Sequence, residues 1–406
     1  MKFVRIIKVS FVILVISFFS VAAVQAKKPN SITIAVLGDL TGPYAPIVGP
    51  MAPGAEDACR YVNEELGGID GVKIKLIIRD NVGKAALGLQ QYAELIGMKP
   101  KPLFFGVPHT PTAEALRAKV LADDVLGFFP SSIEDVFPVG NTVGFYALYP
   151  SHAALFVKWL KDVWTKKRNP RVGIITWDTS YGRAILTQEF FDYAKKIGVD
   201  IVAKELYGIR DVDITTQMVR IRAKKPDWLL CNCMSLAIVK AIKELNMDVR
   251  LGNSVGGGWG AVRLAPELYE ECICINSVAS YDNLDHPGIR KILQYHKKYN
   301  RGLKEQTNFY VFGWQYVLMV QKVIQDTVAK VGWDNLDTAA MKKEMFSLTD
   351  WEPLDGVVRV TYTKKLPASP WMMIYRIRNG KLVPAEGSLG GGKWVKCPDM
   401  TPAKYR

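Results

Sequence analysis

Residues 31–45 read SITIAVLGDLTGPYA, and this stretch decides the fold. The apolar run from Ile32 to Leu37 predicts a buried strand, and the glycines, proline and polar residues after it predict a loop. Apolar residues then recur at helical spacing up to Leu66, before the pair Gly67-Gly68 ends the helix. A strand, a loop and a helix in this order are the opening of an α/β protein.

The alternation of strands and helices continues along the chain and then restarts. Further strands are predicted at residues 73–78, 103–106 and 127–129. A helix between the first two should bury one face, formed by Ala86, Leu89, Ala93 and Ile96. A second cycle predicts strands at residues 172–176, 201–205 and 228–231, with two more near Val249 and Cys272. We therefore expect an α/β fold of two doubly wound lobes, in which ligands bind at the carboxyl ends of the strands.

The last third of the chain is predicted to connect the two lobes. Residues 288–331 are mainly helical and have no sheet of their own to cover, so they should return to the first lobe. The chain would then cross between the lobes near residues 147–151, 276–282 and 354–356, and several crossings make a hinge. The predicted division has a signal segment, a first lobe and a second lobe, at residues 1–26, 27–148 plus 282–353, and 149–281 plus 354–406.

The N-terminal segment has the three parts of a secretory signal. Lys2, Arg5 and Lys8 precede an apolar run from Val9 to Val24, and small residues stand at Val24-Gln25-Ala26, where a signal peptidase needs them. The apolar run is about 16 residues, short of the roughly 20 that span a bilayer. We therefore expect cleavage after Ala26, which would make the mature chain a periplasmic protein.

The chain has a formal net charge of +14, and its cations are spread along the sequence. This spread is typical of solvated faces, and no binding motif accompanies it, so we expect no nucleic acid as a partner. A basic field could instead draw in an anionic solute.

Six cysteines and four histidines raise the question of disulfides or metal. Two CxC units, Cys231 with Cys233 and Cys272 with Cys274, fall in predicted strands. A zinc knuckle uses CxxC on a turn, so small buried strand residues explain these units better. The histidines have no paired spacing, and we expect no metal site.

Two loops at equivalent places in the two cycles carry a tyrosine. Tyr44 lies in the loop after the first strand, and Tyr181 lies in the loop after the strand at residues 172–176. A tyrosine at the same topological point in both lobes suggests a clamp on a ligand, whereas interface packing is the alternative.

Hydroxyl groups follow the third and fourth strands of the first lobe. They belong to Thr110 and Thr112, next to His109, and to Ser131 and Ser132. Hydroxyls and free N–H groups at a helix N-terminus form a site for a carboxylate. Simple helix capping is the alternative, and the two roles can coexist.

Enzyme motifs in the sequence are incomplete. Residues 387–393 imitate a phosphate-binding loop, but Trp394 replaces the Ser or Thr that holds magnesium. A GxSxG motif surrounds Ser254, with His286 and His296 later in the chain. The glycines that follow the serine predict a loop where a hydrolase needs a helix. We therefore expect no catalysis, with a serine hydrolase using Ser254 as the alternative.

With these residues in place, the chain resembles type I periplasmic solute-binding proteins of the leucine/isoleucine/valine-binding family. The resemblance covers residues 32–383 and rests on residues 40–44, 62–69, 131–132 and 178–182. It implies the type I periplasmic binding protein fold and a receptor that passes its solute to the membrane permease of an ABC importer. It also implies no cofactor, and we expect a monomer; a sensory receptor on the same lobes is an alternative.

The resemblance also implies roles for single residues. In amino-acid-binding members the ligand carboxylate is held by residues that match 107–112 and 131–133, and Tyr181 matches a pocket tyrosine. The acidic partner of the ligand ammonium falls here at Asn253 or Ser254, which carry no charge. Because a buried ammonium without a charged partner costs on the order of several kcal/mol, we expect an aromatic or aliphatic carboxylate rather than a branched-chain amino acid or an amide. The aromatic residues that could wall such a site are Trp259, Trp177, Tyr44 and Tyr310.

Overall fold

The computed structural model describes residues 28–232, 235–254, 262 and 265–406. The predicted signal at residues 1–26, together with Cys233 and Trp259, lies outside the described residues. Among the helices within this described part, none is both long and apolar enough to cross a membrane.

A first sheet of five parallel strands occupies the first third of the chain. Its strands are β1 (Ser31–Gly38), β2 (Lys73–Asp80), β3 (Phe104–Gly106), β4 (Leu126–Phe129) and β5 (Thr142–Gly144). Their spatial order is β2-β1-β3-β4-β5, so the sheet is doubly wound, with its switch point between β1 and β3. The predicted strands are confirmed here, and β5 is an addition that sequence reasoning missed.

The helices that accompany this sheet are α1 (Ala45–Val48), α2 (Met51–Arg60), α3 (Ala85–Ile96), α4 (Thr110–Ala122) and α5 (Ile133–Val136). The predicted face of α3 is wrong by about one residue. Its fully buried positions are Gly88, Tyr92 and Leu95, whereas Ala86 and Ala93 are exposed. Tyr92 sets this rotation, because its ring packs 4.8 Å from that of Phe105 and its hydroxyl donates to Asp123.

A second sheet repeats the winding of the first and adds antiparallel strands at one edge. Its strands are β6 (Arg171–Trp177), β7 (Asp200–Tyr207), β8 (Trp228–Cys231), β9 (Arg250–Asn253), β10 (Ile273–Asn276), β11 (Trp371–Arg378), β12 (Lys381–Pro384) and β13 (Val395–Lys396). The parallel part runs β7-β6-β8-β9-β10, with β11 and β12 beyond β10 and β13 paired to β11. The C-terminal region of the chain therefore completes this sheet.

The helices around the second sheet are α6 (Tyr149–Asp162), α7 (Ser180–Arg183), α8 (Gln188–Lys196), α9 (Thr215–Ala223) and α10 (Leu236–Glu244).

Cysteines of the strands are buried as predicted. Cys59, Cys272, Cys274 and Cys397 are buried thiols that form no disulfide, and Cys231 is buried as well.

The α-helices of eight or more residues that the structure describes after β10 are α11 (Pro287–Lys298), α12 (Asn308–Val331) and α13 (Thr338–Met345). The long helix α12 returns to the first sheet and packs on α2. Glycines allow the two helices to approach closely. A Cβ on Gly54 would lie 2.0 Å from the carbonyl oxygen of Tyr310, and one on Gly313 would lie 2.3 Å from that of Met51.

The chain passes between the sheets three times: after β5, after β10 and before β11. The last passage contains Leu354, Asp355 and Gly356, which all have positive φ, at 52°, 56° and 86°. A Cβ on Gly288 would lie 1.9 Å from the carbonyl oxygen of Leu354, so the start of α11 is seated against this turn. Several connections side by side are the usual construction of a hinge.

Candidate functional site

The loops at the carboxyl ends of the two sheets meet face to face. Tyr44, which follows β1, has a hydrogen bond to the side chain of Thr179, which follows β6. The Tyr44 ring also lies 6.1 Å from the ring of Trp177, at the end of β6. Ser180, which also follows β6, donates a hydrogen bond to Glu114 of α4, the helix after β3. The two switch points therefore face one shared region, as the sequence predicted for the strand ends.

Tyr44 is held in place by a loop that folds around a buried carboxylate. Asp39 is fully buried and accepts hydrogen bonds from the backbone N–H groups of Gly42 (2.5 Å) and Tyr44 (2.8 Å). An aspartate that binds the backbone a few residues later is a common turn device. This turn presents the Tyr44 ring to His109, at 4.8 Å between ring centres.

Tyr181 approaches the same region from the second sheet. The hydroxyl of Thr179 caps α7 by accepting from the N–H of Gly182. Tyr181 donates its hydroxyl proton to the carbonyl of Asn232, whose side-chain amide returns a bond of 2.8 Å to the Tyr181 carbonyl. The ring of Tyr181 lies edge-on to that of Tyr149, at 5.3 Å.

His109 has a buried ring nitrogen at the site. Asn81 donates to the hydroxyl of Thr112, and this hydroxyl in turn lies 2.9 Å from His109 Nδ1. If Thr112 donates its hydroxyl proton to Nδ1, the hydrogen bonds from Asn81 to Thr112 and from Thr112 to His109 are both formed. The ring proton of the neutral histidine then lies on Nε2. That Nε2 is buried and has no hydrogen-bond partner. Burial lowers the pKa of His109 to about 4, although the nearby Asp39 opposes the shift, so the ring is neutral at pH 7.

The other predicted hydroxyls are buried and partly used by the protein itself. Thr110 lies 3.4 Å from the Tyr149 hydroxyl. Ser131 donates to the carbonyl of Tyr146 (2.6 Å) and accepts from its N–H (3.2 Å), and Ser132 caps α5. For the two serines the structure thus supplies the capping and turn roles that were the alternative to ligand binding.

Asn253 and Ser254 lie at the end of β9, fully buried. The Ser254 hydroxyl donates to the side-chain oxygen of Asn232 at 2.7 Å. His296, a candidate base for a hydrolase, packs 4.2 Å from Tyr310, against α12 and away from the strand ends.

Tyr310 is a correction to the predicted site. Its hydroxyl donates to Asp57 at 2.6 Å, and Asp57 is also paired with Arg301. Tyr310 therefore belongs to the packing of α2 against α12 and not to the strand ends, because it lies on the face of α12 that meets α2. The sequence alone does not show whether an aromatic residue of a long helix packs against another helix or lines a ligand site.

Asp135 is a site residue that sequence reasoning missed. Its side chain is fully buried on α5, and neither carboxyl oxygen has a hydrogen bond of ordinary geometry. Burial raises its pKa well above the usual value, and the charges of Glu114 and Glu134 add to this, while Ser132 and Arg117 oppose it. In the sequence it is an acid in the first turn of a capped helix, a pattern that has an ordinary electrostatic explanation.

Tyr146, Tyr149 and His152 surround the same place, and none was predicted. The Tyr146 hydroxyl donates to that of Tyr149 at 3.1 Å, and the His152 ring lies 5.0 Å from Tyr146. The ring nitrogens of His152 face the carbonyls of Ser254 and Ala147 but form no hydrogen bond of ordinary geometry. Burial lowers the pKa of His152 to about 3. These residues follow β5, which the sequence pattern did not reveal.

The charged groups described on the first-sheet side of this region are mainly acidic, and the second-sheet side adds the ion pair of Arg183 with Asp178. Asp39, Glu114 and Asp135 are the acids, whereas Arg117 donates to the carbonyls of Glu134 and Phe137. Within the described residues, no group of three or more His, Cys, Asp or Glu side chains could hold a metal ion.

Comparison with known proteins agrees with this architecture. The family model described as periplasmic binding protein matches residues 31–381. The chain therefore belongs to the periplasmic binding protein family, as its resemblance implied. This family and its fold are those of substrate-binding proteins and not of enzymes. A comparison with curated proteins finds no match.

Solved structures share the fold over nearly the whole chain. A branched chain amino acid ABC transporter protein from Thermus thermophilus, with bound valine, is 18% identical, covers 90% of this chain and 98% of its own, and has a TM-score of 0.79. A fatty acid ABC transporter substrate-binding protein from Thermomonospora curvata is 17% identical, with 91% and 94% covered and a TM-score of 0.75. An ABC transporter substrate binding protein from Aeropyrum pernix is 20% identical, with 92% and 99% covered and a TM-score of 0.76. The type I periplasmic binding protein fold is thereby confirmed.

Proposed function

We propose that this chain is an extracytoplasmic solute-binding protein, which captures a small organic ligand between its two sheets and delivers it to the permease of an ABC importer. One observation carries the proposal. The loops at the carboxyl ends of both sheets enclose buried polar atoms without partners, His109 Nε2 and both oxygens of Asp135. Leaving such groups unpaired costs free energy, and a ligand that supplies the missing hydrogen bonds recovers it.

Capture follows from the arrangement of the lobes that we propose, residues 27–148 plus 282–353 and residues 149–281 plus 354–406. A ligand held by Tyr44 and His109 on one side and by Tyr181 on the other makes its full set of contacts only when the loops meet. It therefore favours the closed arrangement by its differential affinity. The three connections between the sheets would act as the hinge.

One end of the ligand is proposed to be a carboxylate. The His109 N–H and the Thr110 hydroxyl are the donors available to it, and both residues are buried. Valine, which is bound in the similar structure from Thermus thermophilus, is an acid, and so are the fatty acids of the transporter from Thermomonospora curvata. An amine on the ligand is compatible with the site as well, because an acidic side chain lies there. Asp135 supplies one from the first sheet instead of from the end of β9.

Binding without catalysis is the further part of this proposal. The Ser254 proton is given to Asn232, so the hydroxyl is not poised as a nucleophile towards a base. Export through the signal at residues 1–26, cleavage after Ala26, residence in the periplasm and a monomeric state complete the proposed function.

A thermal-shift screen of the mature protein tests the proposed function. Amino acids, aromatic acids, aliphatic acids and amides are added singly, because a compound that binds only the folded state raises the melting temperature. At 100 times its Kd a ligand adds about 2.7 kcal/mol, which corresponds to roughly 3 °C for a chain of this size, at about 2.1 cal/mol/K of unfolding entropy per residue. A Tyr181→Ala variant is the control and should lose the shift. No shift with any compound, or equal shifts in both proteins, would contradict the proposal.

A further inference from the structure

Asp135 is fixed at its backbone while its carboxyl group is left without a partner. Its N–H donates to the Ser132 hydroxyl, and its carbonyl accepts from Thr142 at 2.8 Å. The side chain is 0% exposed, and neither oxygen has a hydrogen bond of ordinary geometry, although the nearby Ser132 hydroxyl lowers the pKa of the carboxyl. The charge of this carboxyl acts on the hydroxyls of Tyr146 and Tyr149, which places it beside the polar groups between the sheets.

A structural role does not account for this carboxyl group. The capping position of α5 is occupied by Ser132, and the described ion pairs of the chain do not include Asp135. A buried acid without a partner destabilises the fold relative to an amide or apolar residue of the same size. We therefore infer that the partner of this carboxyl group is the ligand itself, which is present only when the site is occupied.

The surroundings define the chemistry of that missing partner. Glu114 adds a second acid, and the cation Arg117, whose charge acts on Asp135, is engaged with two backbone carbonyls. Aromatic rings stand around the site, and their faces attract ammonium groups. These rings belong to Tyr44, Tyr146, Tyr149, Trp177 and Tyr181. An acid among aromatic rings is a site for an organic cation.

We propose that the ligand carries a protonated amine and that Asp135 is the group that binds it. This inference rests on the proposed function, since it concerns the other end of the same ligand. The amine is held from the first-sheet side, after β4. The described residues at the end of β9 are the neutral Asn253 and Ser254, and Ser254 already donates to Asn232. The substrate class is then an organic amine, with amino acids as the members that also use the carboxylate donors.

Binding of an amine at this place is linked to a proton. Burial raises the pKa of the Asp135 carboxyl, whereas an ammonium group beside it would lower that pKa, so binding of an amine draws a proton off the protein. The affinity for amines should rise with pH until Asp135 is ionised in the empty site as well, whereas the affinity for acids without an amine should not rise. The groups that face Asp135 and set this range are Glu114, Glu134, Arg117, Ser132, Tyr146 and Tyr149.

Calorimetric titration with matched compounds tests the inference. The probes are leucine and phenylalanine, their counterparts without the amine (4-methylpentanoate and 3-phenylpropanoate), and 2-phenylethylamine. We expect at least one amine to bind about 100-fold more tightly than its counterpart, as for a buried charge pair that loses one member. Asp135→Asn should remove this preference. Glu134→Gln, which changes the exposed acid next to it, should retain it.

The outcomes separate this inference from the proposed function. Acids that bind equally well with and without the amine, or a preference that survives in Asp135→Asn, would overturn the inference and leave the proposed function standing. Failure of every probe and of the wider screen would overturn both. If Asp135→Asn does not fold, the wild-type protein provides the test. Calorimetric titration with an amine in two buffers of different ionisation enthalpy should show that the protein releases protons on binding. Binding of the amine without proton release would contradict the role of Asp135.

Discussion

Two buried histidines at the candidate site make stability depend on pH. The pKa values of His109 and His152 are lowered to about 4 and about 3 by burial, whereas a histidine in the unfolded chain titrates near about 6.5. Below that pH the unfolded state binds protons that the folded state does not. The free energy of unfolding therefore falls as the pH drops from 6.5 towards the folded pKa values, by about 1.4 kcal/mol per pH unit for each histidine.

Urea unfolding at pH 7.5 and pH 5 measures this effect. Between pH 7.5 and pH 5 each histidine should lower the free energy of unfolding by about 2 kcal/mol. The His152→Gln variant should therefore lose about 2 kcal/mol less than the wild type over this range. The exposed Glu134→Gln variant should behave as the wild type. An unchanged loss of stability in His152→Gln would show that this ring is not held neutral by burial.

The single residues of the site were predictable only where they stand in loops after recognisable strands. Tyr44, His109, Thr110 and Tyr181 follow β1, β3 and β6, whose apolar runs are plain in the sequence, and the structure brings the loops that carry them together. Asp135 was overlooked because an acid in the first turn of a helix has an electrostatic explanation of its own. Whether it is paired depends on tertiary contacts, which no local pattern records.

At the scale of elements, the crossing of α2 and α12 determines how the last third of the chain joins the first sheet. Gly54 and Gly313 meet backbone atoms of the opposite helix, and backbone cannot move aside as a flexible side chain can. Gly313→Ala should therefore destabilise the protein by about 2–3 kcal/mol or more through overpacking.

Chemical denaturation of Gly313→Ala against wild type measures this cost. Gly97→Ala is the matched control, since its Cβ would meet nothing nearer than 3.5 Å and its φ is −71°. The control should be within about 0.5 kcal/mol of wild type. Equal stability of the two variants would mean that the helices do not approach as closely as described.

Elements with a continuous apolar run were predicted well, and short or late ones were not. β1, β2 and β6 to β8 lie where the sequence indicates. β5 has three residues, too few for periodicity to register. The antiparallel strands β11 to β13 join a sheet that is formed by residues far earlier in the chain, and such pairing is a tertiary property. The face of α3 was misjudged because alanine is apolar enough to suggest burial but small enough to be tolerated in water.

At the scale of the whole molecule, two sheets of the same winding face each other and the chain passes between them three times. The restart of the strand–helix cycle in the sequence was sufficient to predict this plan, since each cycle specifies its own sheet. The direction in which the two sheets face, and hence which loops meet, depends on contacts such as Tyr149 with Tyr181. Those contacts join residues from different strand–helix cycles, so the spacing of residues in the sequence does not predict them.

The crystal structure of the protein with the compound of largest thermal shift tests the central claim most directly. The account predicts ligand density between Tyr44 and Tyr181, within hydrogen-bond distance of His109 Nε2. Density elsewhere, for example in the outer groove lined by Tyr61, Leu318 and Trp351, with the region between the sheets empty, would contradict the claim that this chain captures its solute between the two sheets.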